Sequence, residues 1–176
     1  MYKLLRILFF ILISSNSYDI VYVKIIMKGA RTMKNEISRF SGKYEFLSNF
    51  SYINPHISYD GVEYGSVERA FQAAKIPDSQ KELRRQFYLV QSNKDAKQLG
   101  KQVPLRADWE SIKVDIMYDL LKQKFAPPYM RQLLLDTKDA ELIECNTWGD
   151  TFWGVYKGKG NNQLGKLLMK VREEIR

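Results

Sequence analysis

Beyond residue 40 the alternation of apolar and polar positions changes period once, at Ser66. From Phe40 to Tyr64 the runs are short, with turn signals at Asn54-Pro55 and Asp60-Gly61. The Asp60-Gly61 pair is flanked by Ile57 and Tyr59 before it and Val62 and Tyr64 after it, which predicts a β-hairpin tip. From Ser66 the spacing is helical. Ser66 is placed to cap a helix from Val67 to about Lys75, stopped by Pro77. Asp78 or Ser79 would cap the next, to about Val90, and Asn93 a third, to about Gly100. Asp108 opens a longer helix from Trp109 to Phe125, closed by Pro127 and Pro128. In it Trp109, Ile112, Ile116 and Leu120 recur at three- and four-residue spacing. A short helix from Tyr129 to Leu135 and a strand near Leu142 and Ile143 follow. The last helix starts near Asn162, with Leu164, Leu167, Leu168, Val171 and Ile175 as its core stripe. The expectation is a mainly helical α+β single domain with a small β-sheet. No Gly-x-Gly-x-x-Gly follows a strand, so the pattern gives no support to Rossmann dinucleotide binding.

Residues 1–32 read differently. Lys3 and Arg6 precede an apolar run from Ile7 to Ile13, and small polar residues follow from Ser14 to Ser17, the outline of a secretory signal peptide. That run is far shorter than the roughly 20 residues a membrane-spanning helix needs. The other reading is a start codon assigned too early. Met33 stands just ahead of the first domain residues, and Lys28-Gly29-Ala30 can be encoded by a purine-rich run of ribosome-binding type. Residues 33–176 are taken as the functional unit, with 1–32 a leader or mis-called start outside the fold. The domain itself is expected in the cytoplasm with no membrane attachment.

Charge and composition narrow the chemistry. The 176-residue chain carries 28 Lys and Arg against 20 Asp and Glu, a net charge of +8. Half of that surplus belongs to residues 1–32, where Lys3, Arg6, Lys24, Lys28 and Arg31 face only Asp19. The remaining +4 suits a protein that accepts a small anion better than one that coats nucleic acid. One cysteine, Cys145, excludes an intramolecular disulfide and a Cys-rich zinc site. One histidine, His56, leaves no multi-histidine metal site. No metal and no cofactor is called for. Lys, Glu, Asp and aromatic side chains are left to do any chemistry.

Four stretches concentrate those residue types. Glu68, Gln72 and Lys75 stand at i, i+4 and i+7 and fall within about 60° of one helix surface, next to an apolar face of Val67, Ala70, Phe71 and Ala74. A solvated face with a helical ion pair is the bland alternative, but small Ala73 and Ala74 leave room for a ligand to approach. Lys113 sits within the apolar stripe of its helix, either snorkelling outward or pointed into a cleft to meet a phosphate. The loop from Glu144 to Gly154 holds two carboxylates, Glu144 and Asp150, and two indoles, Trp148 and Trp153, which serve either as core or as a platform for a base. Lys157 to Asn162 leads into the last helix with two glycines and two lysines, a weak signal for an anion site. Cys145 reads as a small buried residue rather than a nucleophile.

These residues, taken in order, resemble the NADAR (NAD- and ADP-ribose-associated), or YbiA-like, family. The resemblance is carried by Leu47 to Phe50, Tyr64 to Lys75, Trp109 with Lys113 and Met117, Lys124-Phe125, Glu144 through Asp150 to Gly154, and Asn162 to Met169. It spans about residues 40–175. Where the family commonly has His after the helix glutamate, this chain has Arg69. The resemblance implies an N-glycosidase acting on a ribosylated nitrogen base. Its substrates are either phosphoribosylamino-pyrimidine intermediates of riboflavin synthesis or ADP-ribosylated guanine in nucleic acid, and a non-catalytic ADP-ribose or NAD reader is the third option. It also implies Lys75 as a nucleophile that forms a Schiff base with the sugar C1. That role needs an amine kept neutral and a carboxylate to shuttle protons, Glu68 or Asp150. Asn49, Gln72, Trp109, Lys113, Trp153, Gly154, Lys159 and Asn162 complete the set as substrate-binding residues, Trp109 or Trp153 stacking the base. The expected partner is a small phosphorylated ribosyl-base substrate.

Overall fold

The computed structural model describes residues 35–176, and the expectation for residues 1–32 lies outside them. The chain runs β1 (Glu36–Ile37), a 3₁₀ turn (Gly42–Leu47), β2 (Ile57–Tyr59), β3 (Val62–Tyr64) and α1 (Val67–Ala73). A second 3₁₀ stretch (Asp78–Arg85) leads into α2 (Gln86–Leu89), α3 (Asn93–Leu99), α4 (Trp109–Lys124) and α5 (Pro128–Leu135). The chain ends with β4 (Glu141–Leu142), β5 (Cys145–Asn146), β6 (Val155–Tyr156) and α6 (Gln163–Glu174). Among the described residues the strands form three separate two-stranded ladders rather than one sheet. β2 and β3 are the expected antiparallel hairpin, with Asp60 and Gly61 both at positive φ as a type I′ turn requires. β1 pairs in parallel with β4 and β5 in parallel with β6, pairings between distant segments that no local signal announces.

Helix α1 is the centre of the domain. Every residue from Val67 to Ala73 is buried, so it has no solvent face at all. It packs against α3 and α4, and α6 packs against α4. Ser66 caps it as expected, its hydroxyl oxygen accepting from the Arg69 backbone N–H. Burying the polar residues of such a helix requires partners for each. Arg69 donates from Nε to Asn93 Oδ1 at 3.1 Å, and from the guanidinium ends to Tyr52 Oη and to the Tyr88 and Gln91 carbonyls. It is a bracket between α1 and α3, turned away from any open surface.

Three expected caps resolve otherwise. Asn93 lies just inside α3, and Ser92 caps that helix in a capping box with Asp95. The Asn93 side chain instead joins α1 to the preceding loop, donating to the Phe50 carbonyl and accepting from Ser66 and Arg69. Neither Asp78 nor Ser79 caps a helix, because Asp78 is drawn to Arg84 and the segment winds as a kinked 3₁₀ stretch. Asp108 stands at the start of α4 without capping it, its carboxylate being held by Arg106.

Candidate active site

Helix α1 and its end, the loop after β1, the loop after the first 3₁₀ turn, helices α3 and α4, and the β5–β6 loop enclose a cleft of about 670 Å³. That is the size range of small-ligand sites. Eight of the eleven residues expected to be catalytic or substrate-binding line it: Glu68, Gln72, Lys75, Asn49, Trp109, Lys113, Asp150 and Trp153. Part of the wall is aromatic. Phe71 packs against Trp109 with ring centres 4.9 Å apart and meets Trp153 edge-on at 5.3 Å, and Phe152 meets Trp153 in turn at 5.0 Å. Trp109 and Trp153 are thus core and cleft wall together.

The charged side depends on the burial of α1. Gln72 Nε2 donates to Glu68 Oε1 at 2.9 Å, one turn apart, and Glu68 is almost fully buried. Burial pushes the Glu68 carboxyl above the usual carboxylate range, against the opposing pull of the Gln72 hydrogen bond and of Lys97 and Lys75. Lys75 moves the other way. Burial lowers its pKa, Glu68 raises it, and Lys97 and Lys101 lower it further. Among the described residues its Nζ reaches only the Gly100 carbonyl, at 3.5 Å.

Gly100 matters here for its missing side chain. A Cβ at this position would stand 1.9 Å from Gln72 Oε1 and 2.7 Å from its Cδ. Gly100 has helical dihedrals, so alanine meets no backbone strain. Gly100→Ala is therefore expected to displace the Gln72 amide and strip Glu68 of its donor. A hydrogen bond to a charged group is worth about 1.5–3 kcal/mol. Turnover should fall by roughly ten- to a hundredfold while the far-ultraviolet circular dichroism spectrum stays unchanged.

Asp150 has a structural task as well as a place in the cleft. Its Oδ1 accepts from the Phe152 and Trp153 N–H groups, both at 2.9 Å, and its main chain exchanges hydrogen bonds with the Asn146 amide. It holds the turn that presents Trp153. Lys113 lines the cleft edge rather than snorkelling outward, its side chain 15% exposed, paired with Glu110 and with its Nζ 4.0 Å from the centre of the Phe152 ring.

Three sequence candidates lie off the cleft wall. Lys159 is exposed in the turn after β6, where its backbone pairs with Tyr156, and does not line this cleft. Gly154 and Asn162 are buried behind the wall and brace Glu144. Asn162 Oδ1 accepts from the Glu144 N–H at 3.0 Å, and a Cβ on Gly154 would stand 2.3 Å from the Glu144 carbonyl oxygen. Cys145 is exposed at the cleft rather than buried, and its thiol is pushed up by burial and by Glu36 and Glu144, the opposite of nucleophile activation.

Sequence reasoning missed Lys97, and it singled out Glu144 and Lys124 without giving either a role in the site. Lys97 reaches the cleft from α3, with its Nζ 5.3 Å from the ring centre of Trp148, which is exposed at the rim. It follows no apolar stripe and carried no local signal. Lys124, the last residue of α4, is fully buried behind the cleft, donating to the Ser48 carbonyl at 2.7 Å, and burial lowers its pKa to about 7. Among the described residues no cluster of His, Cys, Asp and Glu is arranged to hold a metal ion, and no helix is long and apolar enough to cross a membrane.

Comparison with known proteins gives this cleft its context. The NADAR domain model matches residues 34–176. Over 139 residues the chain is 40% identical to N-glycosidase YbiA of Shigella flexneri, covering 77% of this chain and 84% of that one. It is 32% identical to part of the chloroplastic riboflavin biosynthesis protein PYRR of Zea mays, covering 81% of this chain and 26% of that one. The NMR structure of the Escherichia coli protein YbiA superposes with a TM-score of 0.67 at 34% identity, over 83% of this chain and 90% of that one. The matched region takes in every residue described above, and on that evidence the chain belongs to the NADAR domain family and is an enzyme of the N-glycosyl hydrolase class.

Proposed function

We propose that the protein hydrolyses the bond between C1 of a phosphorylated ribose and the amino nitrogen of a pyrimidine, through a Schiff base on Lys75. The observation that carries this reading is the pairing, on α1 and just past its end, of a carboxyl driven toward protonation with an amine driven toward neutrality, both on one aromatic-walled cleft. A protein that only recognised ADP-ribose would have no use for a lysine so placed. Three cleft residues, Asn49, Gln72 and Glu144, also keep a buried oxygen without a hydrogen-bond partner. Sugar hydroxyls and exocyclic amines are the donors such acceptors await. The names of the bacterial and maize relatives, an N-glycosidase and a riboflavin biosynthesis protein, point to the same substrate class.

The chemistry proceeds by exchange at one carbon. A ribose joined through an amino nitrogen opens when that nitrogen's lone pair forms C1=N and the ring oxygen takes the Glu68 proton, leaving Glu68 as the carboxylate. Neutral Lys75 Nζ adds to C1 and gives up a proton to the carboxylate of Glu68. The bond from C1 to the base nitrogen then breaks, its electron pair leaving with the nitrogen, which takes up a proton. C1 is left as an imine of Lys75. Water adds to C1, the lysine departs as the amine, and the aldehyde closes again to the sugar. Trp153 and Trp109 flank the base, and Lys113 and Lys97 meet the phosphate.

Borohydride tests the covalent step, since it reduces a C=N bond to a stable amine. With a phosphoribosylamino-pyrimidine present, the protein should gain the mass of a reduced pentose phosphate, located on the peptide that holds Lys75. In parallel incubations, release of base from ADP-ribosylated guanine DNA in place of the pyrimidine would move the substrate to that class. Binding of ADP-ribose without cleavage of either compound would leave a reader.

A further inference from the structure

We infer that Glu144 is a further catalytic residue of this cleft, the acid that hands its proton to the departing base nitrogen. The inference rests on the N-glycosidase reading above and completes a step which that reading leaves without a donor. Asp150 Oδ1 is already committed to two backbone N–H groups, and Glu68 is bonded to Gln72 and takes the proton of Lys75. Glu144 is free of such duties. It lines the cleft from the position just before β5, and among the described residues its buried Oε2 has no hydrogen-bond partner.

Its placement is fixed from behind. Asn162 Oδ1 holds its N–H, the Val155 N–H holds its carbonyl at 2.8 Å, and its Cγ lies against Gly154, where a Cβ would come within 3.1 Å. Asn162 itself stands at φ 50°, spending its side chain on Glu144 and on the Leu142 carbonyl instead of capping α6. Such bracing of one backbone leaves the carboxyl as the part directed at the ligand. The charged groups around it are Asp150 on its own loop, Lys97 from α3 and Lys124 from α4, with the Cys145 thiol adjacent. Burial and Asp150 raise the carboxyl, Lys97 and Lys124 oppose them, and it settles at about 7, so a protonated fraction persists at neutral pH.

In the step, the Glu144 O–H bond breaks toward the base nitrogen as the C1–N bond breaks, and the carboxylate that remains takes a proton from the water that attacks C1. The acid is thereby restored each turnover.

A leaving-group series tests the assignment, using ribosylaniline 5-phosphate, whose amine leaves poorly without a proton, and its para-nitro analogue, whose amine leaves well. Glu144→Gln is expected to lose on the order of 10²-fold on the aniline compound and only a few-fold on the nitro compound. Wild type should show a downward break in log rate near pH 7 on the aniline compound, and Glu144→Gln should lack it. Equal losses on the two compounds, or no loss on either, would overturn the assignment. Should the variant fail to fold by circular dichroism, the wild-type profiles decide. A break near pH 7 with the aniline compound alone supports the role, and the same break with both compounds overturns it. If wild type cleaves neither compound nor the phosphoribosylamino-pyrimidine, it is the N-glycosidase reading that has failed.

Discussion

Lys75→Met abolishes turnover, by roughly 10³-fold or more, and leaves the fold standing. Both halves of this expectation come from where Lys75 lies. It follows the last turn of α1, half-buried, and its ammonium has one weak contact, 3.5 Å from the Gly100 carbonyl. Methionine keeps the length and the apolar stem, so little packing is lost. What disappears is the amine. Burial favours its neutral form, and Lys97 and Lys101 add to that effect, so part of the population is unprotonated and nucleophilic below the ordinary lysine pKa of 10.5. Arginine at this position retains a positive charge but stays protonated, so Lys75→Arg should be as inactive as Lys75→Met. Steady-state release of pyrimidine is the measurement, with a thermal melt as control. Full turnover in Lys75→Met would end the Schiff-base route, and recovery in Lys75→Arg would show that the position supplies charge and not a bond.

Arg84→Met is expected to be the most damaging change to stability, at about 3 kcal/mol, with a melting temperature lower by roughly 10 °C for a domain of this size. Arg84 is only 2% exposed. It donates to the Ile76 carbonyl at 2.7 Å and to Asp60 and Asp78 at 2.5 Å each, and its own carbonyl accepts from Tyr64 Oη at 3.0 Å. One guanidinium thus fastens the hairpin turn, the end of α1 and the 3₁₀ stretch to each other. Without it the Ile76 carbonyl is buried and unpaired, which alone costs about 1–3 kcal/mol. The two carboxylates are not the source of the penalty, being 44% and 77% exposed and free to hydrate. Asp78→Asn should accordingly cost far less than Arg84→Met. Its pairing with Arg84 holds the Asp78 carboxyl below the usual 3.8, so that small contribution is full above pH 4 and fades on acidification. Urea denaturation of the three proteins at pH 7 separates these values. A loss in Asp78→Asn equal to that in Arg84→Met would move the weight from the buried contacts to the ion pair.

Pattern alone carried the reading as far as its signals are local. Helix periodicity set Glu68, Gln72 and Lys75 on one stripe, because 100° per residue is a property of the backbone and needs no neighbour. The Asp60-Gly61 turn was legible for the same reason, since the positive φ values it requires select those residue types. The core stripe of α6 and the length of α4 followed from spacing and from the prolines that end α4. Caps were less secure. Asn93, Asp78 and Asp108 have the right chemistry for helix starts, yet each is claimed by a partner remote in space or by an arginine, and sequence does not rank those bonds against a cap.

By itself, then, the sequence determined which residues could do chemistry and how those on one helix line up. Tertiary structure decided which of them share a cleft and in what state of charge. Burial of α1 on all sides turned an ordinary helical stripe into a carboxyl and an amine with opposed pKa shifts, and burial is a sum over distant segments that no local window contains. The β5–β6 pairing brought Glu144 to the wall and left Gly154 and Asn162 behind it, while Lys159 turned out to solvent. Residues ten to eighteen positions apart were sorted into wall and support by one short parallel ladder, whose register is fixed by packing and not by the residues that compose it.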